Sequence, residues 1–198
     1  MWSDKLLHQL RTYRSVIYFM LVVVSAHFFW KFSIDGTDTD TTIGLWGFDI
    51  SKPFLVLTSH VAQVVAFILQ SIGFEIKTYA NNVIQHTNNT AVRIVWSCTG
   101  LKQAFIFTCL IGLYKGEFFK KLWFIPLGLL VVYLINIIRI TSISALVKFF
   151  PNQFELMHEY IFKYLFYVAL FGLWVLWDEK ITSQKPKYSD ADQTADKG

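Results

Sequence analysis

Five apolar runs alternate with short polar segments along the chain, at residues 15–30, 54–74, 98–114, 122–138 and 160–177. Several fall short of the roughly 20 residues a membrane-spanning helix needs, but flanking Trp, Tyr and Lys side chains extend them to the interfaces. The second run differs in kind. It carries Thr58, Ser59, His60, Gln63, Gln70 and Ser71, and reads as amphipathic.

Basic residues orient the runs. Lys5, Arg11 and Arg14 precede the first, Lys115, Lys120 and Lys121 crowd the turn between the third and fourth, and Lys180, Lys185 and Lys187 follow the fifth. The positive-inside rule places all three segments in the cytoplasm. One crossing from a cytoplasmic N-terminus ends outside, and the run starting at Cys98 must return to Lys115. The run 54–74 therefore begins and ends outside, as an interfacial or a re-entrant helix. The basic arm and first run resemble a signal sequence. No small-x-small cleavage site follows, so a retained anchor is expected.

Residues 33–51 form a polar outside loop. The stretches 74–79 and 91–96 alternate apolar and polar side chains across an Asn-rich connection, which predicts a β-hairpin that delivers the chain to Cys98. The expected fold is an all-α polytopic membrane protein, with about four transmembrane helices, one interfacial or re-entrant amphipathic helix and a small extracytoplasmic β-hairpin. A cytoplasmic arm (1–14), one membrane-embedded domain (15–177) and a disordered cytoplasmic tail (178–198) complete the expected organisation.

Composition agrees. The 198 residues are 54% hydrophobic and 16% charged, where a soluble domain carries about 25% charged residues. The net charge of +4 is spread over short segments, so the basic residues read as topology signals, and nucleic acid is not an expected partner. Cys98 and Cys109 would lie about 16 Å apart on one helix, too far for a disulfide, whose Cα atoms lie within about 7 Å.

Candidate chemistry gathers at the outer ends of the runs. At 1.5 Å per residue, Cys98 to Lys115 and Leu122 to Arg139 each cover about 26 Å, and His158 to Asp178 about 30 Å, close to one hydrocarbon thickness. Cys98, Arg139 and His158 thus share one outer layer. A lone membrane cysteine is ordinarily packing filler, and Cys109 reads so. Cys98 instead opens a helix, between Ser97 and Thr99-Gly100, where the helix dipole and Lys102 or Arg93 favour the thiolate. The bland reading of Arg139 is a snorkelling anchor. Asn136, three residues earlier, makes a polar patch that suits an oxyanion or carboxylate contact. His158 reads either as ordinary polarity at a helix start or as the proton carrier of a thiol, with Glu155 to orient it. His60 is the second choice for the pocket; His8, His27 and His86 are weaker.

These residues resemble a known family. Trp96-Ser97-Cys98-Thr99-Gly100-Leu101-Lys102 is similar to the Cys-Ser-Gly-Leu box of the exosortase/archaeosortase family, with Thr99 in place of the usual Ser. Asn136-Ile137-Ile138-Arg139 matches its Asn-x-x-Arg element, and His158 falls where a compact exosortase carries its histidine. The resemblance covers residues 54–177, with four expected spans where many members have about eight.

It implies a cysteine protease/transpeptidase of the bacterial cytoplasmic membrane. Its partners are membrane lipids and secreted proteins with a C-terminal tripartite sorting signal: short motif, transmembrane helix, basic tail. Cys98 forms a thioester outside the membrane, Arg139 steadies the oxyanion or substrate, His158 moves the proton, and an amine or lipid acceptor resolves the thioester. Asn136, Thr99, Gly100, Lys102 and Glu155 support the site. No metal or other cofactor is expected. A non-enzymatic membrane scaffold and a thioester-forming lipid acyltransferase are the competing readings.

Overall fold

The computed structural model describes residues 14–37 and 42–182, and of residues 157–159, 163, 181 and 182 the backbone only. Most of the expected N-terminal arm, with His8, and nearly all of the expected tail lie outside the described residues.

The chain is mostly helical. Helix α1 (Arg14–Ser33) leads into a small antiparallel sheet of β1 (Ile34–Asp35), β2 (Gly44–Leu45) and β3 (Phe48–Asp49). Helix α2 (Ser51–Ser71) is followed by a second sheet, β4 (Ile76–Tyr79), β5 (Val83–His86) and β6 (Ala91–Arg93). A 3-10 turn (Trp96–Thr99) then precedes α3 (Leu101–Leu113) and the long α4 (Phe118–Val147). A wide π-helical turn (Leu156–Ile161) opens into α5 (Phe162–Leu176). Helices α1, α2 and α4 are long and apolar enough to cross a membrane by length and composition. Helix α3 has 13 residues and α5 has 15.

Among the described residues two large cores and one small cluster, Val92, Ile143 and Val147, divide the molecule. One joins Phe19, Val22 and Ala26 of α1, Ile106, Phe107 and Leu110 of α3, Phe124 and Val132 of α4, and Phe166, Leu170 and Trp174 of α5. The apolar side chains these helices turn outward, such as Leu21, Leu134, Ile138, Leu165 and Val168, remain exposed, as lipid-facing surfaces do. The second core joins Val61, Ala62, Val65 and Leu69 of α2 to Ile84 and Ile94 beside the sheet and to Ile137 and Ile140 of α4. The buried stripe on α2 recurs every three or four residues, while Val56, Gln63, Phe67 and Gln70 lie exposed. That is the amphipathic helix the sequence predicts.

Hydrogen bonds tie the two ends of the first core together. The Tyr114 hydroxyl donates to Asp178 Oδ1 at 2.7 Å and lies 3.0 Å from Ser15 Oγ. The Trp177 indole N–H donates to the Lys115 carbonyl at 3.0 Å, and Lys121 Nζ donates to the Gly112 carbonyl at 2.8 Å. The start of α1, the end of α3, the start of α4 and the end of α5 therefore meet at one end of the bundle. At the other end the rings of Trp30, Phe54, Phe105 and Trp96 gather. Helix α2 starts there and runs in the same direction as α4, since His60 meets Tyr133 and Phe74 meets Phe149.

Three expectations need correction. The hairpin is a three-stranded meander: β4 pairs with β5 and β5 with β6, so the stretch 74–79 does not pair with 91–96. The Asn-rich connection hides the middle strand, whose Ile84 and His86 are buried. Its turns use Asn81 and Asn89 at positive φ, which asparagine tolerates better than most residues. The loop 33–51 holds the small first sheet, whose β2–β3 turn places Trp46 and Gly47 at positive φ. There the Asp49 carboxylate accepts the N–H and hydroxyl of Ser51, which holds it below its ordinary range. Finally, Arg139 does not close its helix. Helix α4 runs eight residues further, about 12 Å, because Ile140 packs into the second core and Ile143 and Val147 into a small cluster with Val92.

Candidate active site

Cys98 lies in the 3-10 turn between β6 and α3, ahead of the helix and not on its first turn as expected. The Cys98 N–H donates to the Val95 carbonyl at 2.9 Å, and Thr99 Oγ1 donates to the Trp96 carbonyl at 2.7 Å. The Trp96 indole N–H donates to the Thr37 carbonyl at 3.1 Å. Gly100 ends the turn at φ +83° and caps α3. In this left-handed conformation a side chain is strained. A Cβ on Gly100 would also lie 3.0 Å from Asn136 Cγ.

That close approach places α4 against the turn. Asn136 is fully buried, and its Nδ2 donates to the Cys98 carbonyl at 2.9 Å. Its Oδ1 is buried with no hydrogen-bond partner among the described residues. Arg139, one helical turn later, is 9% exposed. It points into the protein while its neighbour Ile138 faces out, so it is not a snorkelling anchor.

Cys98 and Arg139 line one cleft, together with Val92, Arg93, Ile94, Ile140, Ile143 and Phe154. The cleft holds about 20 Å³, room for one water and no more. Two of the three expected catalytic residues are thus brought together. The third, His158, has its backbone in the π-helical turn, four residues after Phe154; its side chain lies outside the described residues. Glu155 is exposed.

The expected supporting residues divide by role. Asn136 and Gly100 fix the turn that carries Cys98. Thr99 is buried, and its hydroxyl serves the turn. Lys102 lines a different cavity of about 340 Å³, with Trp30, Lys31, Ile34 and Ser97, on the α1 side of the turn. His60 is not among the cleft residues; its Nε2 lies 3.0 Å from the Tyr133 hydroxyl between α2 and α4. His86, rated weak in sequence, is buried and holds the sheet to α4 through Nε2 and the Ser144 carbonyl at 2.8 Å. Cys109 is a free thiol packed against the first core, the filler position expected.

Sequence reasoning did not single out Phe154, Ile140 and Ile143, the apolar walls of the cleft. The signal for Ile140 and Ile143 is the apolar spacing that continues past Arg139; Phe154, beyond the end of α4, has none. Arg93 was noticed only as a charge near the thiol; it also lines the cleft.

The family model for transmembrane exosortases matches residues 9–175, which includes every residue of the cleft. No curated protein and no solved structure matches the chain.

Proposed function

The chain belongs to the transmembrane exosortase family, and from that premise we propose that it is a membrane-embedded cysteine transpeptidase that removes the C-terminal sorting signal of secreted proteins. The observation that carries this reading is the shared cleft of Cys98 and Arg139, with Asn136 fastening the turn that bears the thiol.

In the proposed reaction the Cys98 thiolate adds to the scissile carbonyl. Arg139 stabilises the oxyanion that forms, a charge-assisted contact strengthened by burial. The C–N bond then breaks, His158 gives its proton to the departing amine, and a thioester remains on Cys98. An acceptor amine attacks that thioester as His158 takes a proton from it, and the C–S bond breaks to return the thiolate. The backbone that carries His158 follows Phe154, a cleft residue, in the same helical run.

We read α1, α3, α4 and α5 as the four spans, because they share one core and alternate in direction. Their common end carries Lys115, Lys120, Lys121 and Lys180, and the positive-inside rule makes it cytoplasmic. The second core, with α2 and the sheet, then stands on the outer side of the bacterial cytoplasmic membrane. The cleft opens at the level where a substrate's motif emerges from its own transmembrane helix.

The test is Cys98→Ala in cells that express a protein with motif, apolar helix and basic tail. Loss of processing with normal enzyme levels is expected. Unchanged processing of every such protein would leave a scaffold role instead.

A further inference from the structure

Strand β6 is the edge of its sheet and leads straight to the nucleophile. The strand order is β4-β5-β6, and the β5–β6 register pairs Gln85 with Ala91, Ile84 with Val92 and Val83 with Arg93. His86 N–H donates to the Thr90 carbonyl, and Ile94 N–H to the Asn82 carbonyl, both at 2.8 Å. In an antiparallel pair the bonding residues alternate, so Thr90, Val92 and Ile94 turn their backbone groups to β5. Ala91 and Arg93 turn theirs away. Both residues are exposed, and the register directs their backbone groups away from β5.

The cleft that holds Cys98 and Arg139 borders this strand. Successive residues of a strand face opposite sides of its sheet, yet the cleft touches Val92, Arg93 and Ile94 in succession. Val92 and Ile94 turn toward α4, where they pack with Ile143 and Ile140, so the cleft lies where this end of the strand meets α4. Arg139, Ile140 and Ile143 of α4, Phe154 and Cys98 complete its lining. A bare edge strand is an aggregation hazard unless it is short, charged or covered. Shortness and the charge of Arg93 guard against self-pairing; neither explains why the strand leads to a thiol.

We propose that β6 is the docking edge for the substrate: the residues before the scissile bond add to Ala91–Arg93 as a further strand, whose end lies at Cys98. This rests on the transpeptidase reading and adds the mode of recognition. Backbone groups of the substrate meet those of Ala91 and Arg93, and alternate substrate side chains face α4. The substrate's own helix must enter the bilayer after the scissile bond, so it runs in the direction of β6 and the pairing is parallel. The cleft has room for one water, so the Phe154 side chain that lines it shifts when a peptide docks.

The experiment uses the full chain in membranes with a co-expressed tail-signal protein from the same genome. Ala91→Pro removes one edge N–H and no bond to β5, a substitution edge strands accept. It is expected to slow processing about tenfold, the worth of one hydrogen bond near the upper end of the usual range, while alkylation of Cys98 by a small maleimide keeps its rate. Because proline can also disturb folding, a second arm uses Ala91→Cys in a Cys98→Ser, Cys109→Ala background. Single cysteines are moved through the substrate residues before the scissile bond. Disulfides at every second substrate position are expected. Absent or uniform cross-linking, in a membrane where Cys98→Ala abolishes processing, overturns strand addition and leaves the transpeptidase reading intact. Processing that survives Cys98→Ala overturns both.

Discussion

Replacing Gly100 by alanine should disable the site while sparing the fold of the helix bundle. Two costs arise at this position. Holding alanine at φ +83° costs about 1–2 kcal/mol. Its Cβ would also sit 3.0 Å from Asn136 Cγ and 3.3 Å from Asn136 Nδ2, so the amide must retreat from the Cys98 carbonyl. Losing that 2.9 Å hydrogen bond costs about 1 kcal/mol, with more if the buried amide stays unpartnered. The sum is about 2–4 kcal/mol against the competent turn, a loss of roughly thirtyfold or more in processing rate. Rates would be followed in cells as the ratio of cleaved to full-length tail-signal protein. Protein level and thermal unfolding in detergent serve as controls, since the first core does not include the turn. Gly100→Asn separates the two costs: asparagine accepts the left-handed conformation but brings the same Cβ, so it should recover only part of the rate. Wild-type processing by Gly100→Ala, at normal protein level, would refute the argument that the Gly100–Asn136 contact sets the nucleophile.

Three further outcomes are expected. Gly128→Ala would place a Cβ 2.1 Å from Cζ of the buried Phe107 ring; overpacking of this kind costs about 1–3 kcal/mol or more, read as a lower unfolding temperature, and Phe107→Leu in the same chain should restore part of it. Arg139→Ala should lower processing about a hundredfold or more, the usual effect of losing an oxyanion partner, with Arg139→Lys intermediate because the charge returns without the planar fork; equal activity in all three would remove Arg139 from the chemistry. In a Cys109→Ala chain, a membrane-impermeant thiol reagent added outside intact spheroplasts should label Cys98, and labelling only after permeabilisation would reverse the assigned topology.

Much of this architecture is legible in the sequence, for identifiable reasons. Lysines beside apolar runs mark the end where Ser15, Tyr114, Trp177 and Asp178 meet, because charge and hydropathy act locally along the chain. The spacing of Val61, Ala62, Val65 and Leu69 reveals the buried stripe of α2 before any partner is known. Counting residues along two oppositely directed helices puts Cys98 and Arg139 in one layer; only the folded structure puts them in one cleft.

Tertiary contacts decide the rest. Arg139 reads as a helix end because a charge ordinarily marks the interface, whereas here it is buried, and Ile140, Ile143 and Val147 carry α4 on. Gly100 sits inside an apolar run and looks continuous with α3; the close approach of Asn136 from a distant helix makes it a break. Strand β5 has four residues between asparagine turns, too short to stand out, and only the packing of Ile84 against α2 and α4 establishes it. The division of outer residues between the Cys98 cleft and the Lys102 cavity depends on which side of the turn each faces, and a linear reading does not resolve that.

The most direct test of the central claim is the covalent state of Cys98 during turnover. Membranes containing the enzyme and a tail-signal protein would be quenched in acid, digested, and searched by mass spectrometry for a modified Cys98 peptide. The account predicts a hydroxylamine-sensitive thioester between Cys98 and the newly exposed carboxyl end of the processed protein, absent from Cys98→Ala. A fatty acyl group on Cys98, or continued processing by Cys98→Ala with no adduct, would contradict it.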